Sequence, residues 1–325
     1  MNKRHLLPKW APPLWLFLGL IIGSCNNNSK RADNAYNCVP TQTYPGLPHM
    51  YVDTATSFMQ ERNYTNRFDG ILASHLTSGK ETDSMYYDTT AFLHMVDAFM
   101  DLPNADMLQV VIAMYNGAGP GKKYIPAGAD SQLVLLYSPV DTKENRLGYF
   151  LLTDSASSFN ILDNHIPDDV ASDWINTYNS FADKWLNSFL DPHDNWNYKG
   201  WDSTGTLMNT QEVIYGLSEF VELRKEVAYQ TSQNSLTIVG FKAFFANYPE
   251  QTKHGDGLIS NRLKVNFEFV QQGGSDFYLE NSPDFHCRNL QASYFKDTKT
   301  PYLGPKWAQK MGLDNGNLCP PTCNP

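Results

Sequence analysis

One pattern in this chain constrains its fold more than any other: a helix–strand–strand arrangement reads as occurring twice. The stretch LVLLYSPV (Leu133 to Val140) lies without gaps over LKVNFEFV (Leu263 to Val270), matching Leu133/Leu263, Tyr137/Phe267 and Val140/Val270. Upstream, VVIAMY (Val110 to Tyr115) lies over AFFANY (Ala243 to Tyr248). Further upstream, Thr89 to Met100 and Thr210 to Val221 each carry apolar residues at i, i+1, i+4, i+7 and i+8, one face of a helix. The offsets change only from 121 to 133 to 130 residues, so the second copy is expected to hold a longer loop, placed at Glu226 to Ser235. A further helix is predicted before each unit. In the second copy its face carries Trp174, Tyr178, Phe181, Trp185 and Phe189; in the first it covers about Thr54 to Ser74, with Phe58, Phe68 and Leu72.

Each unit thus reads helix, helix, strand, long hairpin loop, strand, over residues 51–160 and 161–275. Strands that follow helices and pair as a hairpin indicate an α+β fold. A lone hairpin is marginal, so each must gain strands, from Tyr149 to Thr153 (YFLLT) or from the other hairpin. The expectation is one joined sheet with helices on one side, or two small lobes. Hydrophobic residues make up 42% of the 325, enough for a sizeable core.

Residues 1–24 have the layout of a secretory signal: basic Lys3, Arg4 and Lys9, an apolar run Leu14 to Ile22, then Gly23 and Ser24. As a helix that run rises about 15 Å, half of a bilayer's ~30 Å hydrocarbon core. Ile22-Gly23-Ser24-Cys25 resembles the lipobox of bacterial lipoproteins, which implies a diacylglyceryl thioether on Cys25 and cleavage before it. Two or three acyl chains anchor stably. Residues 25–50 open with the polar stretch NNNSKRADNAYN, which reads as a tether. Asn26 stands where an Asp would favour inner-membrane retention, which points to the outer membrane. Removing the leader's three basic charges takes the formal charge from −9 to −12, which disfavours nucleic acid as a partner.

The loop GAGPGKK (Gly117 to Lys123) invites a phosphate-binding reading. However, Asn116 stands where the first Gly belongs, Lys123 replaces the hydroxyl residue, and Tyr-Ile-Pro-Ala follows instead of a helix start. The chain has no GxSxG or HExxH motif, and its eight His show no metal-ligand spacing, so no cofactor or metal is expected. Ser155, Ser157 or Ser158 with His165 is best read as a polar connection. The loop Asp194 to Trp201 sets Trp196, Tyr198 and Trp201 among Asn and Asp, a composition suited to stacking on sugar faces.

With Cys25 lipidated, Cys38, Cys287, Cys319 and Cys323 remain, enough for two disulfides in three connectivities. They sit before the first unit and in a tail, 276–325. A small Cys319–Cys323 ring is feasible because the intervening prolines pre-bend the chain, whereas long bridges remove more unfolded-state entropy. The ending Asn315-Gly316-Asn317-Leu318-Cys319-Pro320-Pro321-Thr322-Cys323 resembles the Asn-x-Gly-x-Leu-Cys-Pro-Pro-x-Cys tail of an uncharacterised family of bacterial proteins, many exported, found mainly in Bacteroidota. Ala246 to Pro249 loosely fits that family's aromatic-Pro turn. The resemblance implies a cell-envelope protein with Cys319–Cys323 paired as a unit, leaving Cys38–Cys287. It implies no activity.

The expected function is therefore a membrane-anchored envelope lipoprotein, a non-enzymatic binding or structural module with a glycan or protein as ligand. The alternatives are an envelope hydrolase acting on glycan or peptide at the junction of the repeats, and a solute-capturing protein with an interlobe crevice. Cys25→Ala is expected to move the protein from the membrane to the soluble fraction. Continued sedimentation of the variant, with no acyl mass on the wild type, would remove the lipid-anchor assignment.

Overall fold

The structure is a computed structural model that describes residues 48, 52–75, 84–125, 131–143, 145–153, 156–190, 209–248, 253–254, 257–258, 262–288 and 317–319. Helix α1 (Thr54–Tyr64) starts at Asp53, whose carboxylate accepts from the Thr56 N–H and hydroxyl. It runs through a π-helical stretch, Thr65–Asp69, into α2 (Gly70–His75). Strand β1 (Ser84–Asp88) passes directly into α3 (Thr89–Met100), where Asp88 accepts from the Thr90 N–H at 2.7 Å. The helix α3 covers the residues its periodicity predicts and buries Ala91, Phe92, Met95, Val96 and Phe99. β2 (Ala105–Tyr115) and β3 (Gln132–Asp141) form a long antiparallel hairpin, to which β4 (Tyr149–Leu151) and β5 (His165–Ile166) add in turn.

Helix α4 (Asp168–Phe181) continues through a π-helical stretch, Ala182–Leu186, and a 3-10 turn, Asn187–Phe189. Strand β6 (Glu212–Gly216) leads into α5 (Leu217–Asn234), then β7 (Ile238–Asn247), a two-stranded ribbon of β8 (Lys253–His254) and β9 (Gly257–Leu258), and β10 (Leu263–Gln271). β11 (Asp276–Phe277) pairs with β10, so the sheet extends beyond residue 275 into the predicted tail. β12 (Asn317–Cys319) pairs with β6.

The fold is α+β, with two antiparallel sheets in place of one joined sheet. Their strand orders are β1-β7-β10-β11 and β12-β6-β2-β3-β4-β5. β1 lies beside β7, and β6 lies beside β2. Helix α1 packs on β7 and α4 on β2.

Three local expectations are corrected. Residues 212–216 of the predicted helix 210–221 are β6 instead. Val213, Ile214 and Tyr215 suit a strand, and pairing with β2 satisfies their main chain. The apolar positions on either side of Gly216 mimic helical spacing only because a strand runs straight into a helix. Residues 226–234, expected in a loop, are the last turns of α5, held by buried contacts of Glu226 and Gln230. The buried face of α4 runs from Trp174 and Tyr178 through Ala182 and Leu186, leaving Phe181 and Trp185 half-buried. The π-helical turn rotates the apolar stripe by widening the spacing. Trp185 instead stacks on His75, with centroids 3.8 Å apart.

Successive residues of β2 serve two cores. Leu108, Val110, Ile112 and Met114 join Tyr87, Phe92, Phe220, Phe241 and Val265 in the larger core, to which both sheets contribute. Val111, Ala113 and Tyr115 join Val134, Leu136 and Trp174 under α4. The glycine loop serves this second core. Gly119, at φ +79°, opens a short 3-10 turn, and the space a Cβ would fill at Gly121 is 2.5 Å from the Trp174 indole. Gly121→Ala is expected to cost about 1–3 kcal/mol through overpacking and to lower the melting temperature by several degrees. Gly70→Ala, where a Cβ meets nothing within 4 Å in a helical backbone, is expected to leave it level or raise it.

Candidate functional site

Helix α1 turns an unusual face inward: Ser57 and Gln60 are buried, while Phe58 and Met59 are 49% and 46% exposed. The reason lies in the strands beneath. Along β10, Val265, Phe267 and Phe269 point to the large core, so Asn266 and Glu268 point toward α1. Glu268 stands opposite Lys242 of β7, whose Nζ lies 3.0 Å from Glu268 Oε2 and 2.7 Å from Asp276 Oδ2. The Ser57 hydroxyl donates to Glu268 Oε1 at 3.3 Å, and Asn266 Nδ2 donates to Gln60 Oε1 at 3.0 Å.

A cavity of about 70 Å³ adjoins this cluster. Ser57, Asn266, Glu268, Tyr278 and Glu280 line its polar side; Leu223, Val265, Phe267, Phe269 and Phe277 line its apolar side. Glu280 Oε1 accepts from the Thr54 N–H at 2.6 Å, which ties the start of α1 to the rim. The Tyr278 ring lies 5.3 Å from that of Phe58. Burial raises the Glu268 carboxyl above its ordinary value, and the Lys242 charge opposes that rise. Burial alone would lower the Lys242 ammonium, but Asp276 and Glu268 hold it above the usual lysine range. Burial, then the charges of Glu268 and Asp276, push the Tyr278 phenol up to about 12. One ammonium thus faces carboxylates on both sides, and one of these, Glu268, also lines the cavity.

Two other polar clusters differ in character. Arg288 is fully buried and forked onto Glu226, at 2.7 and 2.5 Å, fastening residues 282–288 to α5. Arg146 reaches Glu212 on β6 at 2.5 Å, Gln109 at 2.6 Å and Tyr149 at 2.7 Å. Burial of Glu212 raises its carboxyl to about 7 despite that guanidinium.

Of the residues singled out in the sequence, Cys25, Cys38, Trp196, Tyr198, Trp201 and Cys323 lie outside the described residues. Cys319 stands in β12 opposite Glu212, with its side chain outside the description. Cys287 is buried and disulfide-bonded, and its partner's side chain lies outside the described residues. Ser157 and Ser158 are exposed, and His165 sets its ring edge-on to Phe150. Sequence reasoning missed Lys242, Glu268, Asp276 and Tyr278. The available signal was the run Lys264, Asn266, Glu268, polar at every second position of a strand otherwise apolar.

Among the described residues no helix is long and apolar enough to cross a membrane, and no group of three or more His, Cys, Asp or Glu is placed to hold a metal ion. Comparison with known proteins finds no matching family model, no similar curated protein and no similar solved structure.

The Glu212 shift has a defined sign. Its folded-state proton is held more tightly than in the unfolded chain, so its stabilising contribution is complete below about pH 4.5 and is lost as pH rises through about 7. The loss is on the order of 2–3 kcal/mol. Melting curves at pH 5 and pH 8 are expected to show this decline in the wild type and a flatter one in Glu212→Gln; parallel declines would remove the assignment to Glu212.

Proposed function

We propose that the chain is a lipid-anchored envelope protein whose folded part is a non-enzymatic binding module, built from two copies of one α+β unit, with its ligand site at the cavity between α1 and β10. Support for the two copies comes from the order of elements. A helix with a π-helical turn, a five-residue strand, a helix and a long hairpin occur twice in succession. At one offset of 128 residues, Tyr87 and Phe92 correspond to Tyr215 and Phe220, and all four are buried. In the leading helices Tyr64, Phe68 and Leu72, and likewise Tyr178, Ala182 and Leu186, are buried at four-residue spacing. Helix α3 therefore corresponds to α5 from Leu217 onward, in place of the alignment read from the sequence.

The observation that carries the binding reading is the cavity beside the buried charges under α1. Under α4, the strand face is Val111, Ala113, Val134 and Leu136 against Trp174, with buried Gln109, Ser138 and Glu212 farther along it. Under α1, the corresponding face carries Lys242, Asn266 and Glu268 beside a cavity. Buried ionic groups cost free energy, and a ligand is the use that a cavity beside them supports best. The hydrolase reading has Glu268 and Glu280 lining one cavity in its favour. Against it stands Lys242, which stabilises the ionised form of Glu268 that an acid catalyst would need protonated.

Titration of glycan fragments and short peptides into the labelled protein tests the reading. The expected result is that a ligand shifts the Phe277 and Tyr278 resonances without turnover, and that Glu268→Gln weakens it roughly tenfold. Ligands that bind equally well to that variant would place the site elsewhere, and product formation abolished by Glu268→Gln would favour the hydrolase.

A further inference from the structure

Among the described residues, no strand pairs with the outer edge of β10 over residues 263–267, where the cavity lies. The Tyr248 N–H donates to the Arg262 C=O, so by strand alternation residues 264, 266 and 268 exchange hydrogen bonds with β7 and the N–H and C=O groups of 263, 265 and 267 point the other way. Side chains take two of these groups: the Leu263 N–H donates to Asn209 Oδ1 at 3.0 Å, and the Val265 C=O accepts from the Tyr215 hydroxyl at 2.8 Å. β11 covers only Phe269 and Val270 before the chain turns away in a 3-10 turn, Leu279–Asn281. Among the described residues, this leaves the Val265 N–H and both main-chain groups of Phe267 without a partner at the cavity wall. The corresponding edge of β3 is closed, because Leu136 and Tyr137 pair with Leu151 and Phe150 of β4.

We infer that the cavity takes an extended peptide segment of alternating apolar and basic residues, added as a strand to the edge of β10. The inference rests on the cavity being the ligand site and specifies what occupies it. An added strand alternates its side chains across the sheet. A residue opposite Phe267 faces the apolar side, toward Leu223 and Phe277. Its neighbours face Asn266 and Glu268. On that side two carboxylates, Glu268 and Asp276, share one ammonium, Lys242, so the charge complement is a lysine or arginine. The chain's net charge of −9 draws the same partner at longer range. Main-chain hydrogen bonds supply the attachment, and the carboxylates select the basic side chain.

Amide hydrogen exchange and calorimetry on the mature chain test this with three probes: acetyl-Thr-Val-Lys-Val-Thr-amide, its Lys→Gln analogue, and butylamine. The lysine peptide is expected to slow exchange of the Val265 and Phe267 amides at least tenfold and to bind about tenfold more tightly than the glutamine peptide. Glu268→Gln is expected to erase the difference between the two peptides. Binding of the lysine peptide without protection of these amides, or equal binding of both peptides, overturns the inference. If butylamine or a glycan fragment shifts Tyr278 while neither peptide binds, the cavity remains a ligand site and strand addition falls. If no peptide, amine or glycan shifts any residue of the cavity, both readings fall.

Discussion

The structure depends on a reciprocal exchange of strands. β1 is followed in the chain by the β2–β3 hairpin yet pairs over five residues with β7, and β6 is followed by β7 and β10 yet pairs over five residues with β2. A two-stranded hairpin is marginal by itself, so each hairpin gains a strand from the other half of the sequence. The exchanged strands also deliver the main aromatic side chains of the shared core. Tyr87 packs edge-on to Tyr137 with centroids 6.1 Å apart, and Tyr215 packs edge-on to Phe267 at 5.9 Å. Neither sheet is complete until residues more than 100 positions apart have met, which makes non-local closure the slow element of folding.

With both sheets contributing to one core, their remaining faces are covered by the leading helices, and the two covers solve different problems. Helix α4 lays Val170, Ala171 and Trp174 on the apolar part of its strand face, where area burial suffices. Helix α1 lays Ser57 and Gln60 on a charged one, where each polar atom needs a partner. Lys242 meets that need for two carboxylates at once. The Arg288–Glu226 pair is a third solution: both groups are fully removed from water, and a forked geometry offsets their desolvation. Its effect is positional, since it draws residues 282–288 onto α5, just after the segment that lines the cavity.

Several elements were legible in local pattern. Residues 133–140 and 263–270 lie in β3 and β10, and 89–100 form α3, because each runs long enough at one period for neighbouring side chains to share a face. Shorter or broken patterns misled. β6 is five residues long and abuts α5, so its apolar positions merged with the helical ones. The stripe on α4 shifts at a π-helical turn that no residue type announces. The candidate site was hidden for a different reason. Lys242, Glu268 and Asp276 come from three strands, and Ser57 is 211 residues from Glu268.

The sequence by itself determined the α+β class, the long hairpin strands and the first amphipathic helix, because propensity and side-chain period act over a few residues. Only the tertiary structure decided that the hairpins lie in separate sheets, that β1 and β6 change places, and that a charged face beneath α1 holds a cavity. Those outcomes depend on which strand edges meet, and an edge is made of main-chain groups that every residue carries alike. Its choice of partner follows from how well whole faces pack, and no single segment contains that information.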